Sequence, residues 1–251
     1  MRKFERREFV VDEGDQARLL KLCNVDPAIF AGDIDPAAFT ALAIREADRN
    51  GLELPTGVHA GQRLVLHRPL HLSEALTLSG GVTDRTRVER GESVSFIAEV
   101  RDAGGLLVVE STEELIILDP AAPPRPKSPQ DERPERLVRE AGEVAFHPGQ
   151  VAAYCGTDVN PIHFDPEAAA RAGFRAPIIG GEQGVRHLTA LLWKSFPVAR
   201  LDVHLRFLRP IFWDDQCTLV IEEDQVRWTS VALCKGGKKA TELTISELAI
   251  A

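Results

Sequence analysis

Long apolar runs, patterned cysteines and early histidines are all missing from this 251-residue chain, and each absence narrows what it can do. No stretch approaches the ~20 consecutive apolar residues that a bilayer-spanning helix needs. The basic opening Met1-Arg2-Lys3-Phe4-Glu5-Arg6-Arg7 is followed by no apolar core of the signal-peptide kind, so a cytoplasmic protein with no membrane partner is expected. The four cysteines, Cys23, Cys155, Cys217 and Cys234, are scattered without metal-ligand spacing and read as free buried thiols. His59, His67, His71 and His204 also lack ligand spacing, so no metal is expected. There is no Gly-rich phosphate loop, dinucleotide fingerprint or nucleophile elbow, and no cofactor is called for. A formal charge of −8 argues against nucleic acid as a partner.

What is present begins with organisation. Residues 120–135 hold prolines among charged residues, a composition that prevents a helix or central strand and suits an extended connector. It divides the chain into 1–119 and 136–251. The two parts echo one another: Leu66-His67-Arg68-Pro69-Leu70 resembles Phe207-Leu208-Arg209-Pro210-Ile211, and Asp102-Ala103-Gly104-Gly105 and Cys234-Lys235-Gly236-Gly237 both read as hairpin turns before a last strand. Apolar periodicity predicts one helix over 36–50, ending at Asn50-Gly51, and another over 181–195. The short echo Thr40-Ala41-Leu42 against Thr189-Ala190-Leu191 pairs them. Strands are expected over 200–208, 216–224, 227–234 and 240–249. Periodicity alone gives an α+β chain with helix and sheet alternating in two blocks.

The chemistry concentrates in Tyr154-Cys155-Gly156-Thr157-Asp158-Val159-Asn160-Pro161-Ile162-His163-Phe164-Asp165. An Asn-Pro step disfavours helix at the Asn and fixes the backbone at Pro161, so Asp158 and His163 can converge from one loop as an acid/base pair. Asp165 and Pro166 form a normal start for a following helix. Together with Gly173-Phe174 and Pro177-Ile178-Ile179-Gly180-Gly181, this run resembles the signature of the MaoC-like (R)-specific enoyl-CoA hydratases and (3R)-hydroxyacyl-thioester dehydratases.

That resemblance implies a double hotdog, in which each unit wraps a curved antiparallel sheet around one long helix. It further implies reversible hydration of a trans-2-enoyl thioester, carried by coenzyme A or acyl carrier protein, in a homo-oligomer such as a dimer of double hotdogs. Asp158 and His163 would hold the water, Asp158 as the better candidate for the base; the sequence does not fix the division between them. The oxyanion would fall to the Gly180-Gly181 turn opening the second helix, where Gly180 stands in place of the family's usual His. Asn160 is expected to hold the loop, and Thr189 matches a small hydroxyl position near the substrate. Glu182 and Arg186 read as an i,i+4 surface pair. Arg68 and Arg209 are expected to pair at strand ends, with contact to coenzyme A phosphates as the alternative. Because the first part has no histidine before His59, and Cys23-Asn24-Val25-Asp26-Pro27 looks like a shortened copy of Cys155 to Pro161, one active site per chain is expected. A hotdog thioesterase and a non-catalytic acyl-thioester-binding subunit are the two other functional classes open to such a chain.

Overall fold

The computed structural model describes residues 2–52, 54, 57–89, 91–119, 137–156 and 160–251. The proline-rich connector 120–135 and Asp158 lie outside the described residues.

In chain order the elements are β1 (Arg2–Lys3), β2 (Arg7–Phe9), α1 (Glu13–Leu22), α2 (Leu42–Arg49), β3 (Gly57–Leu66), β4 (Leu76–Val88), β5 (Gly91–Asp102), β6 (Leu107–Leu118), β7 (Leu137–Ala145), α3 (Pro148–Cys155), α4 (Pro166–Arg171), α5 (Gly181–Ser195), β8 (Val198–Phe207), β9 (Gln216–Glu223), β10 (Trp228–Lys235) and β11 (Lys238–Ile250). Short 3-10 turns occupy Pro27–Phe30, Pro36–Phe39 and Pro161–His163. The strands make one antiparallel sheet ordered β1-β4-β5-β6-β3-β8-β11-β10-β9-β7, with β2 also paired to β4.

This order is a duplicated pattern. Outward from the centre, β3-β6-β5-β4 on one side matches β8-β11-β10-β9 on the other, and β3 pairs with β8 from Gly61–Arg206 to Leu66–Leu201. Arg63 adds a two-pronged ion pair to Asp202 across that seam, at 3.1 and 2.6 Å. Helix α2 packs on β4, β5 and β6, and α5 on β8, β10 and β11. The architecture is an α+β hotdog fold, repeated. The expected turn at Gly236-Gly237 is present with positive φ at both glycines, and all four cysteines are free and buried. Asp165 caps α4 as expected, accepting from the Glu167 amide at 2.8 Å.

The two long helices differ from expectation in one respect. Residues 181–195 run unbroken, whereas 36–50 do not: a 3-10 turn ends at Phe39, Ala41 takes a left-handed φ of 55°, and α2 starts afresh at Leu42. The sheet beneath explains the break. The buried Glu113 carboxylate accepts from the amides of Ala43 and Ile44, each at 3.0 Å, and so caps the second piece. Gln62 accepts from the Ala41 amide at 3.2 Å, donates to the Phe39 carbonyl at 2.9 Å and to Ser111 at 2.9 Å.

A matching bulge lies beside each hairpin, between Arg101–Leu107 and Val100–Val109 and between Cys234–Lys239 and Leu233–Thr241. Counting on from these bulges, Ser111 and Glu113 correspond to Leu243 and Ile245, and their neighbour Gln62 corresponds to Val203. Apolar residues offer nothing to a broken helix, so α5 stays continuous. The same register shows that the Thr40-Ala41-Leu42 echo of Thr189-Ala190-Leu191 is about one turn out of step with the structural repeat.

Replacing Glu113 by Leu leaves two buried amides without an acceptor. The variant should lose about 2–6 kcal/mol in urea denaturation, at roughly 1–3 kcal/mol per unsatisfied group. Glu113→Gln, which keeps an acceptor, should lose less than half as much. A Glu113→Leu protein as stable as the parent would show that the cap does not hold α2.

Candidate active site

His163 ends the 3-10 turn Pro161–His163, whose N-cap is Asn160; the Asn160 side-chain oxygen accepts from the Ile162 amide at 3.3 Å. Asn160 therefore caps the turn. The half-buried His163 ring places Nδ1 3.0 Å from the Ile178 carbonyl oxygen. A carbonyl only accepts, so Nδ1 carries the proton and the lone pair of the neutral ring sits on Nε2. The backbone repeats the connection, with the Ile178 amide donating to the Ile162 carbonyl at 3.2 Å.

The strand-like segment 177–179 is fixed from its other side too. Ile179 donates to the Ile211 carbonyl at 2.9 Å, and Trp213 donates to the Pro177 carbonyl at 3.0 Å. Two residues beyond Ile178 is Gly180, the N-cap of α5, and among the described residues no side chain caps that helix start. His163 and the start of a fifteen-residue helix are thus tied to one short segment. Gly181 is required there sterically, since a Cβ on it would lie 2.9 Å from Cε1 of Phe207. The Phe207 ring in turn packs on His59, with centroids 4.5 Å apart.

The first half repeats this frame with the chemistry removed. Ile34 donates to the Leu70 carbonyl as Ile179 does to Ile211, and the bridge Asp33–His71 matches Ile178–Phe212. By that register Asp35 and Pro36 stand where Gly180 and Gly181 stand in the second half. Asp35 caps its own turn, accepting from the Ala37 amide at 3.0 Å, and Pro36 has no amide hydrogen to offer. Asp26, capping Pro27–Phe30, takes the place of Asn160, which puts Ile29 at the His163 position.

Glu182 and Arg186 are not a surface pair. Arg186 is 1% exposed. Its Nη1 donates to Asp35 at 2.7 Å, its Nε to the Tyr154 hydroxyl at 2.6 Å, and its Nη2 to Glu182. Tyr154 donates to Glu182 at 2.9 Å, and Arg45 reaches the other Glu182 oxygen at 2.8 Å. Thr189 belongs to the same cluster: its hydroxyl is buried and donates to Asp35 at 2.6 Å. Two guanidiniums and two carboxylates balance in charge, and they join the first half, through Asp35 and Arg45, to α3 and α5 of the second.

Burial raises the Asp35 pKa, against the pull of Arg186. For Glu182 burial also works upward, but Arg45 and Arg186 outweigh it and hold the carboxyl below its ordinary value. Sequence reasoning missed Asp35, Tyr154 and Arg45 because nothing local announces a partner 151 residues away. The available signal was two charges on a helix otherwise patterned for burial.

The other candidates resolve simply. Arg68 is engaged by Glu74 and Asp102, and Arg209 by the Lys239 carbonyl, so both act at strand ends. His147 is the N-cap of α3. A groove of about 650 Å³ beside β2, β4 and the β5–β6 turn includes Asp102 but neither His163 nor any residue of the Arg186 cluster. No helix among the described residues is long and apolar enough to cross a membrane.

Residues 122–243 match the model of the MaoC like domain. Over that stretch, just under half of its length, the chain is similar to the MaoC-like family. It is 24% identical over 173 residues to 3-hydroxyacyl-thioester dehydratase X of Mycobacterium tuberculosis, covering 68% of this chain and 61% of that protein, so it spans less than two thirds of that relative. The crystal structure of HtdX from Mycobacterium tuberculosis superposes with a TM-score of 0.77 at 18% identity, covering 96% of this chain and 99% of that one. A MaoC-like dehydratase from Phytophthora capsici gives 0.71 at 18% identity, covering 99% and 97%. At such identities the two structures establish the fold.

Arg186→Met removes the cation between two buried carboxylates. The variant should lose about 3–5 kcal/mol in urea denaturation, the magnitude for breaking one side of a buried pair. A loss below ~1 kcal/mol would mean that Asp35 and Glu182 find other partners or protonate at little cost.

Proposed function

We propose that this chain adds water to a trans-2-enoyl thioester to give a (3R)-hydroxyacyl thioester, or catalyses the reverse dehydration. The observation that carries the reading is the anchoring of His163 to Ile178, two residues before an uncapped helix start. Hydration needs an activated water at the β-carbon, a proton for the α-carbon and stabilisation of the negative charge that develops on the thioester oxygen. The His163 Nε2 lone pair accepts from the water. Asp158, two residues before Asn160, is the proposed base that takes its proton. As hydroxide adds to the β-carbon, the electron pair moves to the thioester oxygen, where the amides of Gly181 and Glu182 receive it. The proton then passes to the α-carbon and restores the thioester carbonyl. The MaoC-like domain and the dehydratase name of the Mycobacterium tuberculosis relative support the same class of reaction.

A single loop delivering both hydroxyl and proton acts on one face of the enoyl group, which the family resemblance assigns to the (3R) product. The carrier is coenzyme A or acyl carrier protein. The chain is read as residues 1–119 and 136–251, each a hotdog unit, joined by 120–135, and as a homo-oligomer.

Crotonyl-CoA tests the reading. Loss of enoyl absorbance without release of free thiol is expected, with (3R)-hydroxybutyryl-CoA as the product; thiol release would indicate a thioesterase, and binding without turnover an acyl-thioester-binding subunit. Asp158→Asn and His163→Ala should each lower kcat by ~100-fold or more, and the double variant should be little worse than either, because groups acting on one water are not additive. Near-normal hydration by either folded variant, or a predominantly (3S) product, would overturn the assignment.

A further inference from the structure

Helix α5 presents three faces with three different surroundings. Gly181 and Gly184 face the sheet, against Phe207, Leu233 and Thr241. Glu182, Arg186 and Thr189 face Asp35 and Tyr154. Gln183 and His187, four residues apart and therefore stacked one turn above the other, form the third. Gln183 is 1% exposed, and its buried Oε1 has no hydrogen-bond partner among the described residues. His187 is half-buried, but its Nε2 is buried and has no partner among the described residues, and its ring stands edge-on to the buried Phe146, with centroids 5.7 Å apart. Two orphaned polar atoms on successive turns of one helix are costly together, because each has given up water and gained nothing.

The pair begins two residues after Gly181, on the turns that follow the helix start where the thioester would be held. Burial pushes the His187 pKa down to about 4, which keeps the ring neutral near pH 7. Arg186, the nearest cation along the helix, is already held by Asp35 and Glu182. The complementary group is therefore uncharged. A hydroxyl fits both members, since it donates to the Gln183 oxygen and either accepts from or donates to an imidazole nitrogen.

We propose that Gln183 and His187 form a polar subsite for a hydroxyl group on the acyl chain, so that the preferred substrate is a hydroxylated 2-enoyl thioester rather than a plain hydrocarbon one. This deepens the hydratase reading and rests on it. A site built to hydrogen-bond a substrate hydroxyl discriminates strongly against the analogue lacking it, because its own buried groups are then left unpaired.

The test compares kcat/KM for trans-2-octenoyl-CoA with that for its 5-, 6-, 7- and 8-hydroxy derivatives on the full chain. At least one hydroxylated isomer should be preferred by ~10-fold or more. Gln183→Leu and His187→Phe should each bring that ratio towards one while leaving the plain substrate turned over as well as or better than before. The ratio is internal to each preparation, so it does not depend on the fraction folded, and the parent protein alone tests the proposal. Turnover of octenoyl-CoA with no hydroxylated isomer preferred would overturn the subsite and leave the two atoms to a buried water. Failure to hydrate every one of these thioesters, and crotonyl-CoA as well, would overturn the hydratase reading beneath it.

Discussion

The Arg186 guanidinium, buried between Asp35 of the first half and Glu182 and Tyr154 of the second, is the contact on which the rest of the molecule depends. A lone buried charge is intolerable, and so is the fully buried Asp35 carboxylate without it, while Glu182 shares its charge between Arg186 and Arg45, so the cluster holds together as a unit. Tyr154 lies on α3 immediately before the loop that leads to the candidate site, and Glu182 lies one residue after Gly181. The ion cluster therefore fixes the end of α3 and the first turn of α5 to each other and to the first half. Paired β3 and β8 join the halves through their backbones, and the cluster joins them through their helices.

On the proposed reading, the repeated frame explains why the site is singular. The two halves use the same backbone frame around their central helices, down to the hydrogen bonds Ile34 to Leu70 and Ile179 to Ile211. One copy closes its helix start with Asp35 and Pro36, and the other leaves it open with Gly180 and Gly181. One copy carries Ile29 where the other carries His163. The Asp35 that closes the first start also anchors Arg186, so the loss of one site and the stabilisation of the other reside in the same carboxylate.

Much of the fold was legible in the sequence, because alternating strands, paired hairpin turns and the uninterrupted helix 181–195 depend on local periodicity. Cap residues read well for the same reason: Asp165 and Asn160 bond to amides two residues ahead. The break in the first helix was not legible, since it is imposed by Gln62 and Glu113 from strands distant in sequence. Glu182 and Arg186 read as a surface pair because i,i+4 spacing says nothing about what lies opposite. Of the site, His163 and the Gly180-Gly181 turn stood out in a short motif, whereas Asp35 and Arg45 entered only when the two halves came together.

On the proposed reading, two halves of one structural pattern build one site per chain. Calorimetric titration of the full protein with an unreactive thioether analogue of crotonyl-CoA measures this directly. One binding site per chain is predicted, because Asp35 and Pro36 close the first half's helix start. Two equivalent sites per chain would contradict the account, since the first half would then bind despite lacking both a histidine at position 29 and an open helix N-terminus.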